Sequence, residues 1–196
     1  MEGLFVGTPL SKAVFELFDG LEKLLTDKFD ELPSGAVKAY VLGGCAVHIY
    51  TNARGSNDLD TEFEASKSLD IHTVILDLDE VYFTDPATGE SSLYLDGNFN
   101  TAIASMASDY KERSIPLVSG ENLLHVYLVS AVDVAVSKLS RLAADDMSDI
   151  IAMFKASRFT LAEFKEFAED AVRYSENPEK LQKNVDHAIR SLEEVG

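Results

Sequence analysis

With 196 residues, 46% of them hydrophobic, the chain is long enough to bury one full core and only marginally two, so one compact domain is expected. No run of 18 apolar residues occurs and the opening MEGLFVGTPLSK lacks a basic leader region, which argues against a membrane or secretory segment and points to a cytoplasmic protein. The lone Cys45 excludes an internal disulfide, and a net charge of −17 argues against tight binding of bare nucleic-acid backbone unless cations such as Lys67, Lys111, Arg113, Lys138 and Arg141 gather locally.

From Leu10 to Phe29, apolar residues recur every three or four positions, the spacing of an amphipathic helix. Pro33, Ser34 and Gly35 end it. Val37 to Leu42 then reads as a strand, and Gly43 and Gly44 lead into a second helix carrying Ala46, Ile49, Tyr50 and Ala53 on one face. Asp58 to Glu64 alternates at period two, which puts Asp58, Asp60, Glu62 and Glu64 on one face of a strand and Leu59 and Phe63 on the other. Thr73 to Phe83 and Ser91 to Leu95 are two further expected strands, joined as a hairpin through Asp85-Pro86-Ala87-Thr88-Gly89. A short helix is expected over Thr101 to Glu112, and His125 to Val129 is the last expected strand.

Ser130 and Asp133 have capping-box spacing and open a helix through Leu142. Another helix starts at Asp145 or Asp146, and two more span about Leu161 to Tyr174 and Pro178 to Glu194. The fold class expected is therefore mixed α/β (α+β): a mixed β-sheet core with helices packed on it and a helical C-terminal region. Residues 1–154 form the core domain in this reading, and 155–196 a helical extension packed on it.

The segment that carries chemistry is Gly43-Gly44, thirteen residues, then Asp58-Leu59-Asp60. A glycine pair lets backbone approach a phosphate closely, and the following helix offers its first-turn N–H groups and dipole to the same anion. Aspartates at i and i+2 on a strand lie about 7 Å apart at Cα on one face, so their carboxylates can converge on Mg²⁺. Such a cation bridges the phosphates of a nucleotide and activates an attacking hydroxyl. Asp77 and Asp79 form a second Asp-Leu-Asp, without a glycine turn before it.

In the order strand, Gly-Gly, helix, Asp-x-Asp strand, the sequence resembles the polymerase-β-like nucleotidyltransferase superfamily, over Val41-Leu42-Gly43-Gly44 through Asp58-Leu59-Asp60. Three later segments, Leu93 to Asn100, Ser108 to Arg113 and Val129 to Arg141, are similar to a prokaryotic family of that superfamily related to the toxins of abortive-infection systems. The resemblance implies nucleotidyl transfer from a nucleoside triphosphate to an acceptor hydroxyl on RNA, protein or a small molecule, with Mg²⁺ or Mn²⁺ as cofactor. It also implies a toxin–antitoxin or defence setting with a cognate antitoxin as partner, and no membrane.

The resemblance implies a third carboxylate on a neighbouring strand, for which Asp96, ending the Leu93-Tyr94-Leu95 strand, is the first choice and Asp77 and Asp79 compete. In that reading Asp58, Asp60 and Asp96 hold metal, and Gly43 and Gly44 cradle the β- and γ-phosphates. Arg54 and Ser56 touch the nucleotide, and Lys138 and Arg141, three apart on one helix face, meet the triphosphate. The alternatives for Lys138 and Arg54 are a place on a solvated helix face paired to Asp145 or Asp149 and neutralisation of Asp58 and Asp60, respectively. Cys45 reads as a packing residue, and His48, His72, His125 and His187 are scattered without ligand spacing. Two rivals remain: a non-catalytic nucleotide-binding or protein-interaction module retaining the fold, and a hydrolase or phosphotransferase using the same metal site.

Overall fold

The computed structural model describes residues 3–29, 32–66, 69–96, 99 and 104–196. Lys67, residues 97, 98 and 100, and the expected start of a helix at 101–103 lie outside the described residues. The first helix, α1 (Pro9–Lys28), begins where Thr8 Oγ1 accepts the Ser11 N–H at 3.2 Å and Pro9 occupies the first turn. Its stripe Leu10, Val14, Leu17, Leu21 and Leu25 is buried. Strand β1 (Val37–Val41) passes directly into α2 (Gly43–Thr51), which stops at Asn52 in the left-handed conformation. Strand β2 (Asp58–Ala65) follows.

Among the described residues, six strands form one mixed sheet, with β3 (Val81–Asp85), β4 (Gly89–Asp96), β5 (Ile115–Val118) and β6 (Leu124–Leu128) completing it in the order β3-β4-β2-β1-β6-β5. β1 runs antiparallel to β2 and parallel to β6, and β2 runs parallel to β4. Leu59, Leu93, Leu95, Val126 and Leu128 point to one face, where α1 and α2 pack, so the core lies between that face and the helices. The opposite face carries the polar half of the period-two pattern. The expected mixed sheet with packed helices is thus the architecture formed.

Several local expectations fail for identifiable reasons. The strand expected from Thr73 is instead a short helix, α3 (Ile71–Ile75), because the Asp70 carboxylate caps the Thr73 N–H and hydroxyl. Strand structure resumes only at Val81, so Asp77 and Asp79 lie in a connection and not on a strand. The hairpin through Asp85–Gly89 forms as expected, with Val81 opposite Leu93 and Asp85 opposite Gly89. Residues 104–112 form turns and no helix. β5 was not expected at all: Pro116 removes a ladder donor, and the strand is tolerated because it is an edge, with a bulge between Pro116 and Val118.

The chain divides into two compact units, Met1–Phe99 with Ser114–Leu128, and Asn100–Arg113 with Val129–Gly196. The first is the sheet unit described above. The second holds α4 (Ala131–Ser137), a 3-10 turn (Lys138–Ser140), α5 (Ala144–Lys155), α6 (Leu161–Arg173) and α7 (Pro178–Val195), around a core of Ile150, Met153, Phe164, Val185 and Leu192. The boundary expected at 154/155 falls at the end of α5, inside this unit. Asp133, fully buried, accepts the Ser130 hydroxyl at 2.6 Å and two Arg113 N–H groups at 2.8 and 2.9 Å, and the Arg113 guanidinium stacks over Phe167 at 4.2 Å. That clasp ties the turn segment to α4 and α6.

The helix from Ser130 stops at Ser137 and not at Leu142. Asp146 takes the Ala143 N–H at 2.9 Å and both Arg141 N–H groups at 2.7 and 2.8 Å, which ends one helix and opens the next, with Leu142 at φ 49° between them. Lys138 is 8% exposed, its ammonium 2.8 Å from Asp149 and 3.7 Å from Asp146, each 2% exposed. Burial opposes ionisation of Asp146, but the Arg141 and Ala143 hydrogen bonds and the neighbouring cations outweigh it and hold its carboxyl below the usual range. Lys138 therefore lies in a buried ion network, not on a solvated helix face. Lys138→Met should cost about 3–5 kcal/mol by leaving buried carboxylates without their cation. Arg141→Met, at a side chain 73% exposed, should cost about 0–1 kcal/mol. Urea denaturation at neutral pH checks both, and equal small losses would mean that water screens the network.

Candidate active site

The turn from β1 into α2 is built by contact with β2. The Leu42 N–H bonds the Asp60 carbonyl at 3.0 Å, and the next residue, Gly43, turns at φ 61°, a conformation that side chains rarely adopt. A Cβ on Gly43 would fall 1.7 Å from Asp60 Oδ2, and one on Gly44 would fall 2.8 Å from Ser56 Cβ. Both glycines are therefore required by the fold itself: the first turn of α2 lies directly against the Asp60 carboxylate and Ser56. The cap residue of α2, Leu42, contributes no side-chain hydrogen bond to the amides of that turn.

Asp58 and Asp60 share the polar face of β2 while Leu59 between them is fully buried. Ser56 Oγ donates to Asp58 Oδ1, and Cys45 Sγ donates to the Asp58 carbonyl at 3.4 Å. Across the parallel ladder, Tyr94 is the register partner of Asp58 and Asp96 that of Asp60. Parallel partners are about 4.8 Å apart with side chains on the same face, so Asp96 extends the Asp58 and Asp60 row. Asp77 has no such place; it pairs with Lys28 at an exposed turn. Glu62 and Glu64 continue the face towards β1, where Glu64 accepts from Tyr40 Oη at 3.3 Å and from Lys38 Nζ at 3.5 Å. Burial, with the Glu64 charge, pushes the Tyr40 hydroxyl up to about 12.

The sheet unit thus brings Gly43, Gly44, Ser56, Asp58, Asp60 and Asp96 together. Arg54 lies in the same loop with its side chain exposed, its carbonyl accepting from His48 Nδ1 at 3.1 Å. Lys138 and Arg141 belong to the helical unit and have carboxylate partners there. Of the cations considered for a basic patch, Arg113 is likewise matched by Asp133, and Lys111 lies over the Tyr110 ring. Among the described residues, no three His, Cys, Asp or Glu side chains are grouped closely enough to hold a metal ion by themselves. The pair Asp58 and Asp60 nevertheless suits Mg²⁺, which binds through one or two carboxylates and fills its remaining positions with water and substrate phosphates. Cys45 is no nucleophile, since burial, with the Asp60 and Asp58 charges, pushes its thiol far up.

His48 is a residue that sequence spacing alone gave no reason to choose. It is buried between Thr8 Oγ1, 2.8 Å from Nε2, and the Arg54 carbonyl. Because a carbonyl only accepts, Nδ1 carries the proton and a neutral ring takes the Thr8 hydroxyl at Nε2. Burial lowers its pKa, against the raising effects of the Arg54 carbonyl and Asp85. The ring joins the start of α1 to the loop entering β2 and so positions Ser56 and Asp58. The face expected for α2 leaves His48 out, and it is inside only because the helix is buried all round from Gly44 to Tyr50.

Gly43→Ala should cost about 1–2 kcal/mol for left-handed backbone strain alone, with displacement of Asp60 added. Gly44→Ala should be relieved by Ser56→Gly, whereas Gly43→Ala should find no such relief. Denaturation midpoints of the four variants check this, and an unchanged midpoint for Gly43→Ala would contradict the contact with Asp60. The His48 shift fixes a sign as well. A folded pKa below the unfolded value of about 6.5 gives stability that is complete above that pH and lost as pH falls through the depressed folded value. His48→Gln should flatten the stability–pH profile just below pH 6.5, and an identical acid limb in the variant would remove His48 from that linkage.

No curated protein matches the chain, and no solved structure does. Residues 12–194 match the model of a family described as a nucleotidyltransferase of unknown function, DUF6036. A match of nearly the whole length, on a sheet that sets two glycines against an Asp-x-Asp strand, is decisive: the chain belongs to this nucleotidyltransferase family and is an enzyme of that class.

Proposed function

We propose that the chain transfers a nucleoside monophosphate from a nucleoside triphosphate to an acceptor hydroxyl in a divalent-metal-dependent reaction. The observation that carries this reading is the seating of Gly43 against the Asp60 carboxylate, with Asp96 in register beyond it. Support comes from the first turn of α2, which has no side-chain cap and lies beside a row of carboxylates, so that phosphate and cation could meet there. Asp58 and Asp60 would hold Mg²⁺ or Mn²⁺ together with phosphate oxygens, while Asp96, in register with Asp60 but not grouped with the pair as a three-carboxylate site, would stand beside them as a base. The cation supplies neutralisation of the triphosphate and acidification of the attacking hydroxyl.

The chain's own residues bind and orient. Gly43 and Gly44 offer backbone to the β- and γ-phosphates, Ser56 holds Asp58 by its hydroxyl, and Arg54 adds a cation at the loop. The acceptor oxygen forms a bond to the α-phosphorus as the bond from that phosphorus to the bridging oxygen breaks. Pyrophosphate leaves on the glycine side, and the acceptor proton passes to the Asp96 carboxylate. Lys138 and Arg141 enter this proposal as residues that hold the helical unit, since Asp146 and Asp149 match their charges. A toxin–antitoxin or defence role, with a cognate antitoxin as partner, rests on the sequence resemblance alone.

Mg²⁺ with a nucleoside triphosphate should raise the melting temperature, by an amount equivalent to about 2.7 kcal/mol at a hundredfold excess over Kd. Asp58→Ala with Asp60→Ala should abolish the rise without destabilising the free protein, because unneutralised neighbouring carboxylates repel. A double variant that still responds would place the nucleotide elsewhere. Labelled triphosphates incubated with RNA, protein and small hydroxyl compounds then identify what receives the label.

A further inference from the structure

We infer that the helical unit carries a binding site of its own for a nucleoside monophosphate, in the cavity between residues 104–106, the end of α6 and the start of α7. The cavity has a volume of about 640 Å³, within the range that holds small-molecule ligands. Every residue that lines it belongs to the helical unit, so it uses neither the glycine turn nor the carboxylate row and stands apart from the transfer reading. Its walls are held by other side chains. Ser108 donates its N–H and its hydroxyl to Asp170 of α6, both at 2.7 Å, and Arg113 donates to the Ser108 carbonyl at 2.8 Å. Asn184 of α7 donates to the Leu139 carbonyl at 2.7 Å, and the Asn177 side chain caps α7 by accepting the Lys180 N–H at 3.2 Å. None of these bonds uses the side chains of Ser105, Tyr174 or Lys180. Those three line the cavity from three different segments and have, among the described residues, no hydrogen-bond or ion-pair partner.

The chemistry of the lining sets the class of ligand. The Lys180 ammonium gives one cation to one anionic group. Glu176, which also lines the cavity, only accepts hydrogen bonds; it repels a chain of phosphates and suits a pair of hydroxyls. Tyr174, 69% exposed, offers a ring face on which a flat ring stacks, and Met106 and Leu181 supply apolar contact around it. One phosphate, one ribose diol and one flat base are the parts of a nucleoside monophosphate, and each has its counterpart here. The acidity of the chain does not forbid an anion at this place. The helical unit holds 11 of the 17 Lys and Arg against 15 of the 34 Asp and Glu, so it carries −4 of the total −17 and leaves most of the repulsion to the sheet unit.

The test is calorimetric titration of the full chain, with EDTA present to remove divalent metal, using the monophosphates of adenosine, guanosine, cytidine and uridine, and adenosine, inorganic phosphate and tryptophan as separate arms. At least one monophosphate should bind once per chain, and bind equally to the Asp58→Ala, Asp60→Ala double variant. Lys180→Met and Tyr174→Ala should each weaken it at least about tenfold at an unchanged melting temperature, whereas Tyr174→Phe and Arg190→Met, the latter on α7 outside the cavity, should leave it as in wild type. Absence of binding by all four monophosphates overturns the inference. So does binding that disappears in the double aspartate variant, which would assign the nucleotide to the carboxylate row. Unchanged affinity in Lys180→Met, or adenosine bound as tightly as its monophosphate, removes the phosphate contact and the inference with it. Inorganic phosphate or tryptophan bound more tightly than any monophosphate overturns it as well. None of these outcomes bears on whether the chain transfers nucleotides from triphosphates, which is read separately with Mg²⁺ present.

Discussion

Much of the sheet unit depends on one approach of backbone to side chain: Gly43 lying where no Cβ could fit beside Asp60. Because Leu42 is already bonded to the Asp60 carbonyl, the chain has to turn sharply to leave the sheet, and a positive φ at Gly43 makes that turn. The turn sets the axis of α2, whose His48 in turn fixes the loop that delivers Ser56 to Asp58. One contact thus couples the start of a helix, a buried imidazole and two carboxylates. Loosening it disturbs all of them together.

The parts of this arrangement legible in the sequence were those with short-range periodicity. The alternation from Asp58 to Glu64 is a local property of one strand, and it held because one face of β2 is buried. The glycine pair was legible as a turn, but its reason was not. Spacing suggests that glycines admit a phosphate, whereas the fold shows that they first admit Asp60 and Ser56, a contact between positions over ten residues apart.

What the sequence hid was decided by partners far along the chain. Asp77-Leu78-Asp79 looks like a second metal strand until the Asp70 cap shows that a helix precedes it. Ile115–Val118 carries a proline that argues against a strand, and only a place at the sheet edge allows one. Lys138 and Arg141 sit three apart as a phosphate clamp would. Asp146 and Asp149, one turn of α5 apart, give those cations a different use, and nothing in local spacing separates the two arrangements.

The two units are interleaved along the chain, which crosses from one to the other at 99/100, 113/114 and 128/129. No single cut separates them, so truncation after residue 154 would leave a broken helical unit and not a free-standing sheet. Synthesis meets the same constraint. β6 is an interior strand, paired with β1 on one side and β5 on the other, and it emerges only after the whole 100–113 excursion. Until then β1 presents an unpaired edge, and the carboxylate row is made on a sheet that is not yet closed on that side. The sheet unit is therefore complete only once Leu128 has been made.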